Sequence, residues 1–356
     1  MSTPTSVSIS RLLSPRVGGW PRLYAAATLL ALGLGVSSAS TAAEVVVYSA
    51  RNEQLIKPLF DAYTEETGVQ VRFVTDGEGP LMARLKAEGK NSPADLFLTV
   101  DAGNLWQATQ EGLLQSVSST VLDAHIPSHL KDPANQWFGL SVRARTLVYN
   151  SQQVSPADLT TYEALAQPNW KQRLCLRTSK KVYNQSLVAT MIKAYGATTT
   201  TGIVEGWVRN LALPPTSNDT QALEAVAAGQ CDVTLVNTYY FGRLMQKKPN
   251  LPLAIFWPNQ ATNTSAPGVH VNVSGAGVTR YAKHREEAVR LLEWLSSGKA
   301  QSMYASVNME YPANPAIAPT PEVAAWGRFK PSLVNVAEAG KLQAQAVMLM
   351  DRAGYK

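Results

Sequence analysis

The chain has 356 residues, of which 45% are hydrophobic and 16% are charged, and its formal net charge is +6. A chain of this length exceeds one typical hydrophobic core and predicts two lobes. The charge excess is modest and forms no concentrated basic patch, which argues against nucleic acid as a partner.

The first 43 residues have the pattern of an export signal. Three arginines and no acidic residue precede an apolar stretch at 23–36, and small residues follow it. Cleavage after Ala42 or Ala43 fits this pattern, and we favour Ala43; a buried N-terminal helix is the alternative. The mature chain then has about 313 residues and a net charge of +3. It contains no stretch apolar enough to cross a membrane, so we expect no membrane insertion.

The first part of the mature chain alternates between strand and helix patterns. The predicted strands lie at 44–50, 69–75 and 95–99, and the predicted helices lie at 54–67, 81–88 and 101–112. The segment 76–80, rich in glycine and ending in proline, is predicted as a turn. This alternation predicts a parallel sheet with helices on both faces, whose ligands bind at the carboxyl ends of the strands.

The rest of the chain predicts a second lobe. A strand pattern at 142–149 is a candidate crossing between the lobes, and a strand at 267–278 returns to the first lobe. Other elements are predicted at 173–177, 221–228, 232–236, 285–296 and 334–351.

These patterns predict an α/β protein with two lobes and a hinged cleft. Each lobe is expected to hold a mixed, mostly parallel sheet flanked by helices. The first lobe is predicted to contain residues 44–142 plus about 268–317, and the second residues 143–267 plus about 318–356.

The chain has two cysteines, Cys175 and Cys231. In an exported protein an even pair most simply forms one disulfide. Two free buried thiols are the alternative, and a metal site built from two cysteines without a nearby histidine is disfavoured.

Two adjacent tyrosines, Tyr239 and Tyr240, follow the predicted strand at 232–236, and Tyr183 lies upstream. Phenolate oxygen is a hard anionic ligand, and three phenolates would neutralise one ferric ion. With 13 tyrosines in 356 residues, chance alone gives about 0.5 adjacent pairs. An ordinary aromatic pair at a strand end, with one ring in the core, is therefore the alternative.

Signatures of enzymes are missing from the sequence. It has no His-Glu-x-x-His, no Gly-x-Ser-x-Gly, no Walker loop and no Gly-x-Gly-x-x-Gly after a strand. Its four histidines form no cluster with the spacing of metal ligands. We therefore expect a binding protein rather than an enzyme, with a secreted enzyme or a sensor subunit on a similar fold as alternatives.

Seven short stretches occur in a specific order along the mature chain. They are Val-Tyr-Ser-Ala-Arg (47–51), Pro-Ala-Asp-Leu-Phe-Leu-Thr-Val-Asp-Ala-Gly-Asn-Leu (93–105), Leu-Val-Tyr-Asn (147–150), Val-Tyr-Asn-Gln-Ser-Leu (182–187), Asn-Thr-Tyr-Tyr (237–240), His-Val-Asn-Val-Ser-Gly (270–275) and Glu-Tyr-Pro (310–312). Together they resemble the periplasmic iron(III)-binding proteins of the transferrin-like kind. The resemblance implies the type II fold of periplasmic binding proteins. It also implies a monomer in the periplasm that captures Fe(III) between its lobes and delivers it to an inner-membrane ABC permease.

The resemblance also assigns residues to the site. Tyr239 and Tyr240 correspond to the tandem tyrosine ligands of the family, and Tyr183 corresponds to a third tyrosine ligand found in one subgroup. Arg51 would then face a synergistic anion such as carbonate, or counter the phenolates, and a solvated loop charge is its alternative. Arg143 is a weaker candidate for the same task, as is Arg145.

The sequence also departs from other subgroups. Asn52 stands where many members have a histidine, Val100 stands where some have a glutamate, and Asn52-Glu53 replaces a His-Tyr pair. Three tyrosines remain as the protein ligands, with an anion or water completing the shell; a carboxylate from Glu53 is the alternative. The second functional hypothesis is a carrier of a polyamine, thiamine or an oxyanion on the same fold, in which the tyrosines stack or hydrogen-bond.

Overall fold

The computed structural model describes residues 43–260 and 267–356. The predicted export signal, apart from Ala43, lies outside these residues. Nowhere in these two ranges is a helix both long enough and apolar enough to cross a membrane.

The described residues form nine strands. They are β1 (Glu44–Ser49), β2 (Gln70–Thr75), β3 (Leu96–Val100), β4 (Phe138–Asn150), β5 (Leu174–Cys175), β6 (Val233–Asn237), β7 (Leu253–Phe256), β8 (Val271–Val278) and β9 (Tyr311–Pro312).

Thirteen α-helices connect these strands within the same two ranges. They are α1 (Glu53–Thr67), α2 (Glu78–Glu88), α3 (Ala102–Gln110), α4 (Thr120–His125), α5 (Val182–Tyr195), α6 (Ala197–Arg209), α7 (Asp219–Ala227), α8 (Thr238–Lys247), α9 (Arg285–Leu295), α10 (Gly298–Asn308), α11 (Pro321–Ala324), α12 (Ala337–Lys341) and α13 (Gln343–Arg352).

The strands pair in the order β2-β1-β3-β8-β4-β6-β5, with β7 and β9 also paired to β4. The predicted parallel pairing is observed between β1 and both β2 and β3, and between β5 and β6. The pairings made by β4 and β8 are antiparallel. The predicted mixed α/β architecture is therefore confirmed.

Strand β4 belongs to both halves of the molecule. Its residues Phe138–Ala144 pair with β8, whereas Arg145–Tyr149 pair with β6. All thirteen of its residues are buried. The predicted crossing strand at 142–149 thus exists but begins four residues earlier. The exact boundaries of the two lobes stay a prediction.

Helices cover both faces of the first half of the sheet, as the alternation of side chains along a strand requires. On β1, Val45 and Val47 pack in one core with helices α1 and α9, while Tyr48 packs in another with α2. The second half is covered in the same way, by α5, α6 and α13 on one face and by α7 and α8 on the other.

Some predicted elements differ from the structure. Helix α2 begins at Glu78, inside the predicted turn at 76–80, because Pro80 fits the first turn of a helix, where the missing N–H costs nothing. The predicted helix at 334–351 is two helices broken at Leu342, so that α12 contacts both α3 and α5 while α13 packs on α5 and α6.

The predicted disulfide is present: Cys175 and Cys231 are bonded and both are buried. The bond connects β5 to the residues that lead into β6. It therefore fixes the strand that ends at the tyrosine pair.

Candidate metal centre

The tyrosines singled out in the sequence lie at the beginnings of two helices. Tyr183 is the second residue of α5, and Tyr239 and Tyr240 are the second and third residues of α8. The sequence pattern predicted a strand end before Tyr239 and Tyr240 but not the helix α8 that begins there. The N-terminus of a helix carries partial positive charge, which favours an anionic phenolate.

One cavity of about 210 Å³ brings most of the predicted site together. Its lining includes Tyr183, Tyr239 and Tyr240 from one side of the molecule. The other lining residues are Ala50, Arg51, Asn52, Leu55, Glu78, Val100, Arg143, Lys181, Arg243 and Glu310. Glu53 is not among them, because it is the exposed first residue of α1.

A wider groove of about 870 Å³ lies elsewhere on the surface, beside α6. Its charged lining residues are Glu163, Lys171 and Arg209. A single carboxylate beside two cations does not form a set of metal ligands, so the tyrosine cavity is the candidate site.

The tyrosine side chains are withdrawn from solvent and close to one another. Tyr183 and Tyr239 are 8% and 6% exposed, and Tyr240 is partly buried. The rings of Tyr239 and Tyr240 have centroids 4.5 Å apart. The side-chain amide of Asn237 donates a hydrogen bond of 3.3 Å to the Tyr239 hydroxyl.

Burial raises the pKa of Tyr239 well above its usual value, the neighbouring Tyr183 and Tyr240 raise it further, and Arg143 opposes the rise. Burial also raises the pKa of Tyr240, with contributions from Tyr183 and Asp219, while Arg177 acts in the opposite direction. Without a cation in the cavity, both phenols therefore keep their protons at neutral pH.

A buried ion pair between Arg51 and Glu310 also lines the cavity, and only Arg51 was predicted from the sequence. Arg51 is 4% exposed; its Nη1 lies 3.1 Å from Glu310 and also donates to the Ser274 hydroxyl. Burial opposes ionisation of Glu310, but Arg51 and Arg143 hold its pKa below the usual value.

Glu310 is thus a site residue that was missed. The segment Glu-Tyr-Pro at 310–312 carried the family resemblance, but 259 residues separate it from Arg51. No local pattern in the sequence joins residues so far apart.

Arg143 lies between the two sides of the cavity. It donates 2.8 Å hydrogen bonds to the Ser274 hydroxyl and the Val273 carbonyl, and its guanidinium carbon lies 5.5 Å from the Tyr183 ring centroid. Its Nε and the Nε of Arg51 are buried without a hydrogen-bond partner among the described residues.

Further cations surround the phenols. The Lys181 ammonium lies 5.2 Å from the Tyr183 ring centroid, and the Arg243 guanidinium lies 5.0 Å from that of Tyr239. With neutral phenols, four cations and two carboxylates line the cavity, a net charge of +2. The two carboxylates belong to Glu78 and Glu310.

The donor chemistry of this cavity points to a hard cation. Within residues 43–260 and 267–356, no group of three or more His, Cys, Asp or Glu residues could hold a metal. Phenolate oxygens are therefore the strongest metal-binding set in the part of the chain that is described, and oxygen donors suit hard ions such as Fe(III).

Comparison with known proteins identifies the family. The profile of the bacterial extracellular solute-binding proteins matches residues 48–302. The chain belongs to this family. Its membership confirms the expectation of a binding protein rather than an enzyme.

This solute-binding protein has relatives in iron uptake. It is 41% identical to iron uptake protein A1 of Synechocystis over 88% of each chain. It is also 41% identical to a Trichodesmium protein, IdiA or FutA, solved with iron and citrate ligands, which it matches over 88% of its own chain and all of that chain with a TM-score of 0.84.

An open form of ferric iron-binding protein A from Mannheimia haemolytica is 34% identical, with a TM-score of 0.81, over 88% of this chain and 99% of that one. These neighbours confirm the predicted two-lobed fold. They also confirm the resemblance to ferric-binding proteins drawn from the sequence.

Proposed function

We propose that this solute-binding protein captures Fe(III) between its lobes and passes it to an ABC permease of the inner membrane. The observation that carries the proposal is the meeting of Tyr183, Tyr239 and Tyr240 in one cavity, from two helix N-termini. The iron uptake protein of Synechocystis and the iron-containing Trichodesmium structure support it.

The chemistry of binding follows from the burial of the phenols. A trivalent cation at bonding distance stabilises phenolate, as bound metals do for water and thiols, so the phenols lose their protons when iron enters. Three phenolates balance the charge of one Fe(III). The cations that line the cavity can then balance a further negative charge, beyond the charges of the metal and its three ligands.

A bound anion completes this proposal. Three phenolates and Fe(III) sum to zero, so the lining keeps its net charge of +2 after iron binds. The unpartnered Nε atoms of Arg51 and Arg143 supply two buried donors for such an anion. A dianion such as carbonate matches this charge. Asn52, which lines the cavity, fits the outer part of the site, whereas Glu53 does not.

Colour tests the proposal most directly. Ferric loading of the metal-free protein should produce a visible phenolate-to-iron charge-transfer band and one bound iron per chain. The variant Tyr239→Phe should weaken and shift the band, because two tyrosines remain in the cavity. It should also bind iron at least about 100-fold more weakly, a larger loss than is typical for residues that only support metal ligands. Tyr281→Phe, at a residue 47% exposed and outside the cavity, is the matched control. A colourless wild type without iron by elemental analysis would overturn the proposal.

An oxyanion carrier remains the second candidate, because the net charge of the cavity suits an anion and disfavours polyamines and thiamine. Calorimetric titration of the metal-free protein with phosphate distinguishes the two. Tight phosphate binding without iron would support the oxyanion carrier, and binding that requires iron would support the ferric carrier.

The surroundings of the protein follow from its family and its relatives. We infer that the mature chain works in the periplasm as a monomer after removal of the export signal near Ala43. Chromatography of the secreted protein and sequencing of its N-terminus test both points.

A further inference from the structure

A buried arginine behind the cavity joins the two helices that carry the tyrosines. Arg145 lies in β4, at the point where its pairing changes from β8 to β6, and is 1% exposed. Like Arg51, it was a candidate from the sequence for facing an anion or countering the phenolates. Its side chain does not line the cavity but spreads over the side chains that precede and follow the tyrosines.

One arm of Arg145 holds the beginning of α5. Its Nη2 donates a 2.6 Å hydrogen bond to the side-chain carbonyl of Asn184, the residue after Tyr183. The amide nitrogen of Asn184 in turn donates to the Arg177 carbonyl at 2.9 Å and to the Tyr355 hydroxyl at 2.7 Å. Asn184 is therefore fixed on both sides of its amide.

The other arm holds the beginning of α8. The Nη1 atom of Arg145 donates a 3.0 Å hydrogen bond to the side-chain carbonyl of Asn237. Asn237 precedes α8 at the position where asparagine usually caps the helix, but its side chain makes no capping bond. Its amide contacts Arg145 with the oxygen and the Tyr239 hydroxyl with the nitrogen.

Asp219 balances the charge of this arrangement. It is fully buried, and its carboxylate lies 3.4 Å from Nη1 and 3.5 Å from Nη2 of Arg145. The planar guanidinium of arginine can donate to two partners at once in a fixed geometry, which the single ammonium of lysine cannot do.

We propose that Arg145 is a positioning residue that sets the distance between Tyr183 and the tyrosine pair through Asn184 and Asn237. The inference rests on the proposed function. Binding constellations need their ligands within about 0.5 Å of the productive geometry. Tyr183 and Tyr239 lie on different helices, α5 and α8. Arg145 donates a hydrogen bond to a residue at the beginning of each helix.

The variant Arg145→Lys keeps the charge beside Asp219 and removes the second arm. We expect iron binding about 10–100-fold weaker than in the wild type, as for other outer partners of metal ligands. We also expect a shifted charge-transfer band, because the phenolate geometry at iron changes. Arg173→Lys is the matched control: it lies in the same half, pairs with Asp232 and contacts neither tyrosine-bearing helix.

A second variant covers failure of the first to fold. Asn237→Ser removes one partner of Arg145 and the hydrogen bond to the Tyr239 hydroxyl without touching the buried charges. It should also weaken iron binding and shift the band. The double variant with Arg145→Lys should lose less affinity than the sum of the two single losses, because both changes break the Arg145–Asn237 connection.

The outcomes separate this inference from the function itself. A wild type that binds no iron overturns the proposed function. A wild type that binds iron, with Arg145→Lys or Asn237→Ser variants that keep both its affinity and its band, overturns the positioning role alone. Equal losses in Arg173→Lys would also overturn it.

Discussion

At the scale of single residues, the site depends on phenols that burial keeps protonated. The raised pKa values of Tyr239 and Tyr240 make the protons part of the binding equilibrium. A free tyrosine releases its proton near pH 10, and burial moves this release to higher pH. In the proposed function, iron displaces these protons, and acid competes with iron for the same oxygens.

This competition predicts the pH dependence of iron binding. Between pH 5 and 8, the affinity should rise with pH, with at least two protons released per iron from Tyr239 and Tyr240. A pH-stat measurement during loading from a buffered ferric chelate, corrected for the chelate's own protons, gives the number. Tyr240→Phe should release one proton fewer. Release of fewer than two protons per iron in the wild type would contradict this assignment.

The sequence predicted the candidate ligands better than their surroundings. Tyr183, Tyr239, Tyr240, Arg51 and Arg143 were all predicted, and the structure places them around one cavity.

The rest of the site depends on the fold. Glu310 reaches Arg51 because β9 pairs with β4. Lys181 and Arg243 are near neighbours of Tyr183 and Tyr239 in the sequence, and the helical turns of α5 and α8 bring their charges over the phenol rings. Glu53 was a poor alternative for a local reason: the chain turns into α1 directly after Asn52, which leaves Glu53 outside.

At the scale of elements, β5 and β6 decide where the tyrosine pair lies. Strand β6 is buried along its whole length and ends at Asn237, directly before α8. The disulfide closes the 56-residue separation between Cys175 and Cys231, so it restricts the unfolded chain of this half. Its contribution should appear in stability more than in iron chemistry.

Removing the disulfide tests this division. The double variant Cys175→Ala and Cys231→Ala should lower the free energy of unfolding in urea by about 2–4 kcal/mol, through the loss of loop closure. Its charge-transfer band should stay unchanged, because neither cysteine contacts a tyrosine of the site. Wild type unfolded under reducing conditions is the matched control. An unchanged urea midpoint would show that the bond does not stabilise this half.

The sequence predicted most elements of the first half, because alternating strands and amphipathic helices leave clear periodic patterns. Strand β5 was predicted with five residues and has two, since only Leu174 and Cys175 pair with β6. The break at Leu342 could not be predicted either, because it depends on how α12 packs between α3 and α5.

At the scale of the whole molecule, one ion pair joins two residues that line the cavity from different halves. Glu78 begins α2 in the first half, and Lys181 precedes α5 in the second; their charged atoms lie 3.6 Å apart. Each side chain is about 30% exposed, so this ion pair is accessible to salt. The pair therefore joins the two predicted lobes at the cavity.

This contact predicts the rate at which iron is released. Glu78→Gln should speed transfer of iron to a competing chelator by up to about 5-fold, the effect of roughly 1 kcal/mol for a partly exposed pair. Added salt should speed the wild type and leave the variant less affected. Glu66→Gln, which removes the exposed Lys299–Glu66 pair outside the cavity, is the control. Equal release from Glu78→Gln and wild type at low salt would contradict a role in closure.

The order of the strands also constrains how the chain reaches its destination. Strand β8 lies between β3 and β4, although it is made more than a hundred residues later. Until residue 278 has been synthesised, β3 and β4 therefore keep open edges and the first half of the sheet cannot close. Such long-range pairing makes folding slow. A chain that folds slowly stays unfolded for longer. An unfolded chain is the form that can pass through a translocation channel.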